Sequence, residues 1–303
     1  MSRERVFSGV QPTGEGMHLG NYLGAVKGML SLQDTYDCIF AVVDYHALTV
    51  PYDPAQMPQR KLSIAMDYLA AGLDPEKVTL IVQSDVPEHL ELAWVLGCLT
   101  SVPRLERMPT YQEKKRQSGS AGFGLLFYPV LMAADILIYK ATKVPVGKDQ
   151  EVHLRFAREL ARRFNGTFGE TFPEPYIHMT EAPMVPSLSG PGAMAKSVPG
   201  SYIGLDDPPD EIRHKLAKAY TDPARKRRAD PGDPANCNVY AIHEAYSQPP
   251  RLEEIADGCR SAGIGCLGCK AMLAEEIISD LQPFQERRRE LDARPGYVLD
   301  VLA

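Results

Sequence analysis

Two short segments, far apart in this 303-residue chain, could together handle a polyphosphate. The first runs from Gly9-Val-Gln-Pro-Thr-Gly14 to His18-Leu-Gly-Asn21, between an apolar stretch and a helical one. Glycines let backbone N–H groups approach phosphate oxygens, and a helix N-terminus adds a favourable dipole. His18 and Asn21 can both present donors to a phosphate at such a turn. A strand, a glycine turn and a helix also occur where no ligand binds, so this segment does not decide the matter alone. The second segment, Gly190-Pro-Gly-Ala-Met-Ala-Lys-Ser-Val-Pro-Gly200, is a loop of small residues with one cation, Lys196. It could carry that lysine to a polyphosphate and stabilise charge on a departing pyrophosphate, where losing one such donor costs roughly 3–4 kcal/mol. A lone lysine in a glycine-rich loop is ordinarily solvated. Its weight comes from pairing with the first segment.

Four of the six cysteines fall late, Cys237, Cys259, Cys266 and Cys269, in the spacing C-x21-C-x6-C-x2-C. Cys266-Leu-Gly-Cys269 is a knuckle in which two thiolates can grip one metal centre, with two more supplied nearby. The start, MSRERVFSGVQPTG, has no apolar leader, so a cytoplasmic location is expected, and there clustered thiols favour a metal over disulfides. Zinc and a 4Fe–4S cluster both accept four thiolates, and spacing leaves both open. Cys38 and Cys98, in apolar runs, read as small core hydrophobes, and Trp94 as a packing residue. His46 reads equally as a pocket residue or a structural histidine.

The elements that must position these residues are partly legible. Val6-Phe7-Ser8, Cys38–Val43 and Val78–Gln83 read as short strands, and polar residues follow the last two. Continuous apolar strands alternating with helices imply a parallel α/β sheet, with ligands at the C-terminal strand ends. The apolar stretch Gly124–Tyr139 is broken by Pro129 and Asp135 and is too short to span a bilayer, so no membrane partner is expected. After about residue 206 the character changes, giving a catalytic domain over 1–206 and a helical one over 207–303. In the latter, 211–219, 252–258 and 271–291 read as helices, and Asp230-Pro-Gly-Asp-Pro-Ala235 as a disorder-prone stretch. A net charge of −6 does not advertise nucleic acid, yet Lys114–Arg116, Arg225–Arg228 and Arg287–Arg289 leave room for a local RNA footprint.

The two phosphate-handling segments together resemble the HIGH and KMSKS signatures of class I aminoacyl-tRNA synthetases. Leu105-Glu-Arg-Met-Pro-Thr110, Tyr128-Pro-Val-Leu-Met-Ala-Ala-Asp-Ile-Leu137 and Val144-Pro-Val-Gly-Lys-Asp-Gln150 sharpen the resemblance to the tryptophanyl-tRNA synthetase family. It runs from the first strand to the last helix. It implies a Rossmann-type catalytic domain with a helical insertion, a helical anticodon-reading domain and a homodimer. It implies that L-tryptophan and ATP form an adenylate with Mg2+, and that the aminoacyl group passes to tRNA(Trp).

By motif, Gln11, Pro12, Thr13, Gly20, Asn21, Gly147, Lys148, Asp149, Val185, Met194, Lys196 and Ser197 would line the ATP site. His18, Asn21, Lys115 and Lys196 would act on its phosphates. Asp135 matches the aspartate that accepts the indole N–H, with Phe7, Met132 and Val146 against the ring and Tyr128 and Gln150 at the amino group. A subset of the family holds a 4Fe–4S cluster on a closely similar late cysteine set, which favours iron–sulfur over zinc. The second signature reads Ala193-Met-Ala-Lys-Ser197, so one cation and one hydroxyl are gone, and Lys148 could partly replace the charge. The last residues look like the start of a helix, short of the usual family C-terminus, which would weaken tRNA recognition more than activation. The alternatives are a paralogue that activates tryptophan but charges tRNA poorly, and a non-catalytic tryptophan- or nucleotide-responsive protein.

Overall fold

A computed structural model of the chain describes residues 3–14, 16–118, 122–146, 150–178, 185–196 and 198–303. Five parallel strands form its sheet: β1 (Arg5–Val10), β2 (Asp37–Val42), β3 (Val78–Val82), β4 (Lys143–Val144) and β5 (Tyr176–Ile177). Their order is β3-β2-β1-β4-β5. The chain leaves β1 towards β2 on one side and places β4 on the other, so the order reverses between β1 and β4. Parallel pairing demands crossovers, and helices supply them.

Both faces of β2 are buried, which is why it reads as an unbroken apolar run. Alternate residues serve opposite faces. Cys38, Phe40 and Val42 enter one core, with Val6 and Val10. Ile39, Ala41 and Val43 enter another, with Phe7 and Ile136. Between β3 and β4 lies a helical insertion that includes Glu88–Cys98 and Phe123–Ile138, and the helix Glu151–Phe168 follows β4. These three close on a third cluster around Leu96, Val130 and Phe156.

After residue 206 the chain is helical: Pro209–Lys218, Asn238–Tyr246, Pro249–Arg260, Cys266–Asp292 and Pro295–Leu302. Leu273, Ile277, Leu281 and Phe284 of the long helix share the core that holds Leu19 and Tyr68, so one apolar cluster draws on both halves. The stretch 230–235 is tied down rather than loose. The Asp233 N–H donates to Asp222 at 2.8 Å, its side chain caps the N–H of Ala235, and the Gly232 N–H donates to the Cys259 carbonyl. No helix among the described residues is long and apolar enough to cross a membrane.

Cys98 is exposed rather than a core hydrophobe, and Trp94 stands 71% exposed rather than packed. Both lie on a helix whose inner face is made by His89, Ala93 and Leu96, so an apolar segment need not be buried all round.

Candidate active site

A crevice of about 1180 Å³ opens at the C-terminal ends of β1 and β4, at the point where strand order reverses. This is where open parallel sheets bind ligands. Residues of the glycine turn, the lysine loop and the Asp135 helix all line it.

At the turn, His18 caps a short helical segment, Leu19–Asn21. Its Nδ1 accepts the Asn21 N–H at 3.2 Å, and the Asn21 side chain accepts the His18 N–H at 3.2 Å. Burial, and then the charge of Lys196, lower the His18 pKa to about 4. The ring is therefore neutral near pH 7, and with Nδ1 accepting, its proton sits on Nε2. Gln11, Thr13, His18 and Asn21 line the crevice. Pro12 is buried, and Pro12 and Gly20 lie beside the lining rather than in it.

Lys196 reaches back across 180 residues of sequence to donate to the Gly16 carbonyl. A Cβ at Gly14 would stand 2.7 Å from Lys196 Cδ, so glycine is what allows the lysine to lie against the turn. The loop is shaped from behind. Ser201 Oγ donates to the Ala195 carbonyl at 2.6 Å, and the Met194 N–H donates to the Val185 carbonyl at 3.2 Å. Met194 lines the crevice, whereas Val185 is buried in the core behind it. Gly147, Lys148, Asp149 and Ser197 lie outside the described residues. Lys115 is exposed, with its ammonium 5.6 Å from the Tyr111 ring centre, and does not line the crevice.

The other end of the crevice is largely apolar, and among the described residues it holds one buried acid. Asp135 is 1% exposed. Its Oδ1 accepts from Gln83 Nε2 at 2.8 Å and pairs with His89 Nδ1 at 2.7 Å. Its Oδ2 pairs with His46 Nε2 at 2.7 Å. Burial alone would raise this carboxyl. The His46 charge and the hydrogen bonds of His46 and His89 outweigh it and hold the group below the usual carboxylate range.

The donors are themselves oriented. Gln83 Oε1 accepts the Tyr45 N–H at 3.0 Å, which turns its amide nitrogen to Asp135. Burial, with the charges of Asp135 and Glu88, pushes the Tyr139 phenol up to about 12. The phenol therefore stays protonated and donates to His89 Nε2 at 2.8 Å, leaving the proton on Nδ1 for Asp135. A carboxylate has about four lone-pair directions. Among the described residues three are taken, two on Oδ1 and one on Oδ2.

Phe7, Tyr128, Met132, Val146 and Gln150 line the crevice with Asp135. Phe7 stacks on Tyr139 with ring centres 5.5 Å apart. The Tyr128 hydroxyl pairs with His153 Nε2, and burial raises its pKa. His46 is both a pocket residue and a structural one. Gln83, His89 and Tyr139 carry no sequence signal beyond the position of Gln83 at a strand end.

The four late cysteines are all half-buried free thiols. Burial, and then the charges of Cys237, Cys259 and Cys266, push the Cys269 thiol up to about 12, so the four share one neighbourhood. Arg225 lies 3.8 Å from Cys259 Sγ. Among the described residues, however, no group of three or more His, Cys, Asp or Glu side chains is placed to hold a metal ion.

Residues 2–282 match the family of tRNA synthetases class I (W and Y). A tryptophan–tRNA ligase of Deinococcus radiodurans is 49% identical over 303 residues, taking in 98% of this chain and 91% of that one. A tryptophan–tRNA ligase of Thermotoga maritima is 42% identical over 306 residues, with 98% and 92% covered. A solved tryptophanyl-tRNA synthetase of Campylobacter jejuni, complexed with ADP and tryptophane, superposes with a TM-score of 0.83 at 33% identity. That likeness covers 98% of this chain and 92% of that one.

Proposed function

This chain belongs to the class I tRNA synthetases of the W and Y type and is a tryptophan–tRNA ligase, and we infer how its crevice performs that reaction. The observation that carries the reading is Asp135, a buried carboxylate with three of its acceptor directions filled and one left at the apolar end of the crevice. Tryptophan places its ring among Phe7, Met132 and Val146 and donates its indole N–H to Oδ2. Tyr128 and Gln150 hold the amino group. Phenylalanine leaves the carboxylate without its fourth donor, a mismatch that sites of this kind reject strongly.

ATP lies along the glycine turn with its phosphates between His18, Asn21 and Lys196. The tryptophan carboxylate oxygen attacks the α-phosphorus, the bond to the β-phosphoryl oxygen breaks, and pyrophosphate leaves. Neutral His18 donates from Nε2 to a phosphate oxygen. Lys196 leaves the Gly16 carbonyl and follows the charge that builds on pyrophosphate. Magnesium requires no dedicated protein cage, and on the ATP phosphates it would neutralise charge. In the second step the tRNA 3′-terminal ribose hydroxyl attacks the adenylate carbonyl and AMP leaves. The exposed Lys226, Arg227 and Arg228 give the helical domain over 207–303 a cationic face for tRNA(Trp). Lys148 stands in part for the cation missing from the lysine loop, and Lys148→Glu lowers adenylate formation on this reading.

Two further features extend it. Leu90, Trp94 and Val95 on Glu88–Cys98, and Phe123 at the start of Phe123–Ile138, expose apolar surface that supports a homodimer. Sedimentation reads the dimer, and Trp94→Glu dissociates it. The four thiols fit a thiolate-bound centre in donor chemistry and share one neighbourhood, though among the described residues no three of them are placed to hold a metal ion; Cys237, Cys259, Cys266 and Cys269 would hold a 4Fe–4S cluster, with zinc as the alternative. Iron, sulfide and zinc analysis of anaerobically purified protein decides between them. Tryptophan-dependent exchange of pyrophosphate into ATP tests the first step, and charging of tRNA(Trp) tests the second. Exchange without charging identifies a paralogue that activates but does not charge.

A further inference from the structure

The peptide unit between Gly16 and Met17 is held at its two ends by an acidic and a basic side chain. Its N–H donates to Asp67 Oδ2 at 2.6 Å, and its carbonyl accepts from Lys196 Nζ. Burial pushes the Asp67 carboxyl up to about 7, against the Arg288 charge and the Met17 N–H, which favour its ionised form. When it is ionised, an anion at the N–H and a cation at the C=O both polarise the peptide, so each contact strengthens the other. Gly16 has φ +62°, and a Cβ there would stand 3.0 Å from Asp67 Oδ2, so the turn is built around this contact.

Asp67, on the helix Met57–Ala71, is almost fully buried and faces Arg288 of the long helix Cys266–Asp292. Arg288 Nε lies 3.2 Å from Asp67 Oδ1. The guanidinium is fixed in turn by Ser63 Oγ at 3.1 Å and by Asp292 at 3.1 Å. Its side chain is 14% exposed, so this arginine of the 287–289 run is not a surface cation available to RNA. A continuous chain of polar contacts thus leads from the C-terminal helix to Lys196.

We propose that Arg288 is a positioning residue for adenylate formation, acting through Asp67 and the Gly16–Met17 peptide to set where Lys196 rests before ATP reacts. The proposal depends on the reading of Lys196 as the cation of the departing pyrophosphate. Arg288 holds Asp67 in place and favours its ionised form against burial; Asp67 fixes the peptide plane; the peptide carbonyl holds the ammonium against the turn, beside His18. Without Arg288 the turn keeps its chain path but loses the group that aligns this relay. The helix that belongs to the tRNA-reading half is thereby a support of the catalytic lysine.

The test is a double-mutant cycle on tryptophan-dependent pyrophosphate exchange: the wild type, Arg288→Met, Lys196→Met and the double variant, each checked by thermal unfolding. Arg288→Met lowers kcat about tenfold in the wild-type background and less than about twofold in the Lys196→Met background, because the two act as one unit. The KM for tryptophan is unchanged, and Arg288→Lys recovers part of the loss. Equal fold-losses in both backgrounds overturn the proposal, since a purely structural role would depress both alike. An undiminished rate in Lys196→Met overturns the reading of the lysine, and the proposal with it. If Arg288→Met does not fold, the near-isosteric Asp67→Asn takes its place and must show the same background dependence.

Discussion

Replacing Asp135 by asparagine keeps the shape of the side chain and removes one acceptor oxygen. If the amide oxygen takes the place of Oδ1, it can still receive Gln83 and His89, now 2.8 and 2.7 Å from that oxygen. The amide nitrogen then faces His46 Nε2 at the position of Oδ2. His46 can answer by presenting an unprotonated Nε2. The indole N–H cannot answer, and it meets a donor. A charge-assisted hydrogen bond is worth about 1.5–3 kcal/mol, and a buried donor left unpaired adds about 1–3 kcal/mol. Together they place the loss near 3–5 kcal/mol, or roughly two to four orders of magnitude in kcat/KM for tryptophan. Phenylalanine has no N–H to lose and should change far less. The assay is pyrophosphate exchange driven by each amino acid in turn. Discrimination between tryptophan and phenylalanine should collapse in Asp135→Asn. Equal losses for both substrates would refute the lone-pair argument and leave Asp135 a structural residue.

Other outcomes follow from the turn and the loop. Lys196→Ala should lower adenylate formation by about a hundredfold or more, read as exchange rate, because it removes one preorganised cation. Gly14→Ala should lower it less, about severalfold, because a methyl 2.7 Å from Lys196 Cδ displaces a flexible side chain without deleting it. His18 makes a signed contribution to stability. Its pKa falls from 6.5 to about 4 on folding, so the unfolded chain takes the proton first. Stability attributable to this ring is fully present above pH 6.5 and is lost as pH falls towards 4, by up to about 3 kcal/mol. The difference between the wild type and His18→Gln in urea midpoints across that range measures it.

The sequence makes β2 legible because both its faces are covered from Cys38 to Val42, and β3 legible because Thr79 alone interrupts its apolar run. It does not reveal β4 and β5. Each is two residues long and exists only because β1 and then β4 offer it an edge. Yet β4 creates the reversal of strand order at which the crevice forms. The helical segments over 211–219, 252–258 and 271–291 fall within the observed helices to about a residue, since their periodicity and charge survive without tertiary context.

The site shows the same division. Residues in local motifs, such as His18, Asn21 and Asp135, are readable because their neighbours mark them. His89 and Gln83 reach Asp135 over 46 and 52 residues, and nothing near them in sequence announces the contact. Arg288 was hidden by its surroundings in a different way. Consecutive residues of a helix point about 100° apart, so a run of three arginines puts one against Asp67 while Arg289 stays exposed. Trp94 and Cys98 mislead for the converse reason, since an apolar helix can turn one face outward.

The most direct test of the account is an exchange assay in which each of the twenty common amino acids is offered alone with ATP, magnesium and pyrophosphate. Tryptophan alone should drive rapid exchange, and the same protein should lose it on Asp135→Asn while keeping its fold. Exchange driven by tyrosine, or by no amino acid, would contradict the central claim.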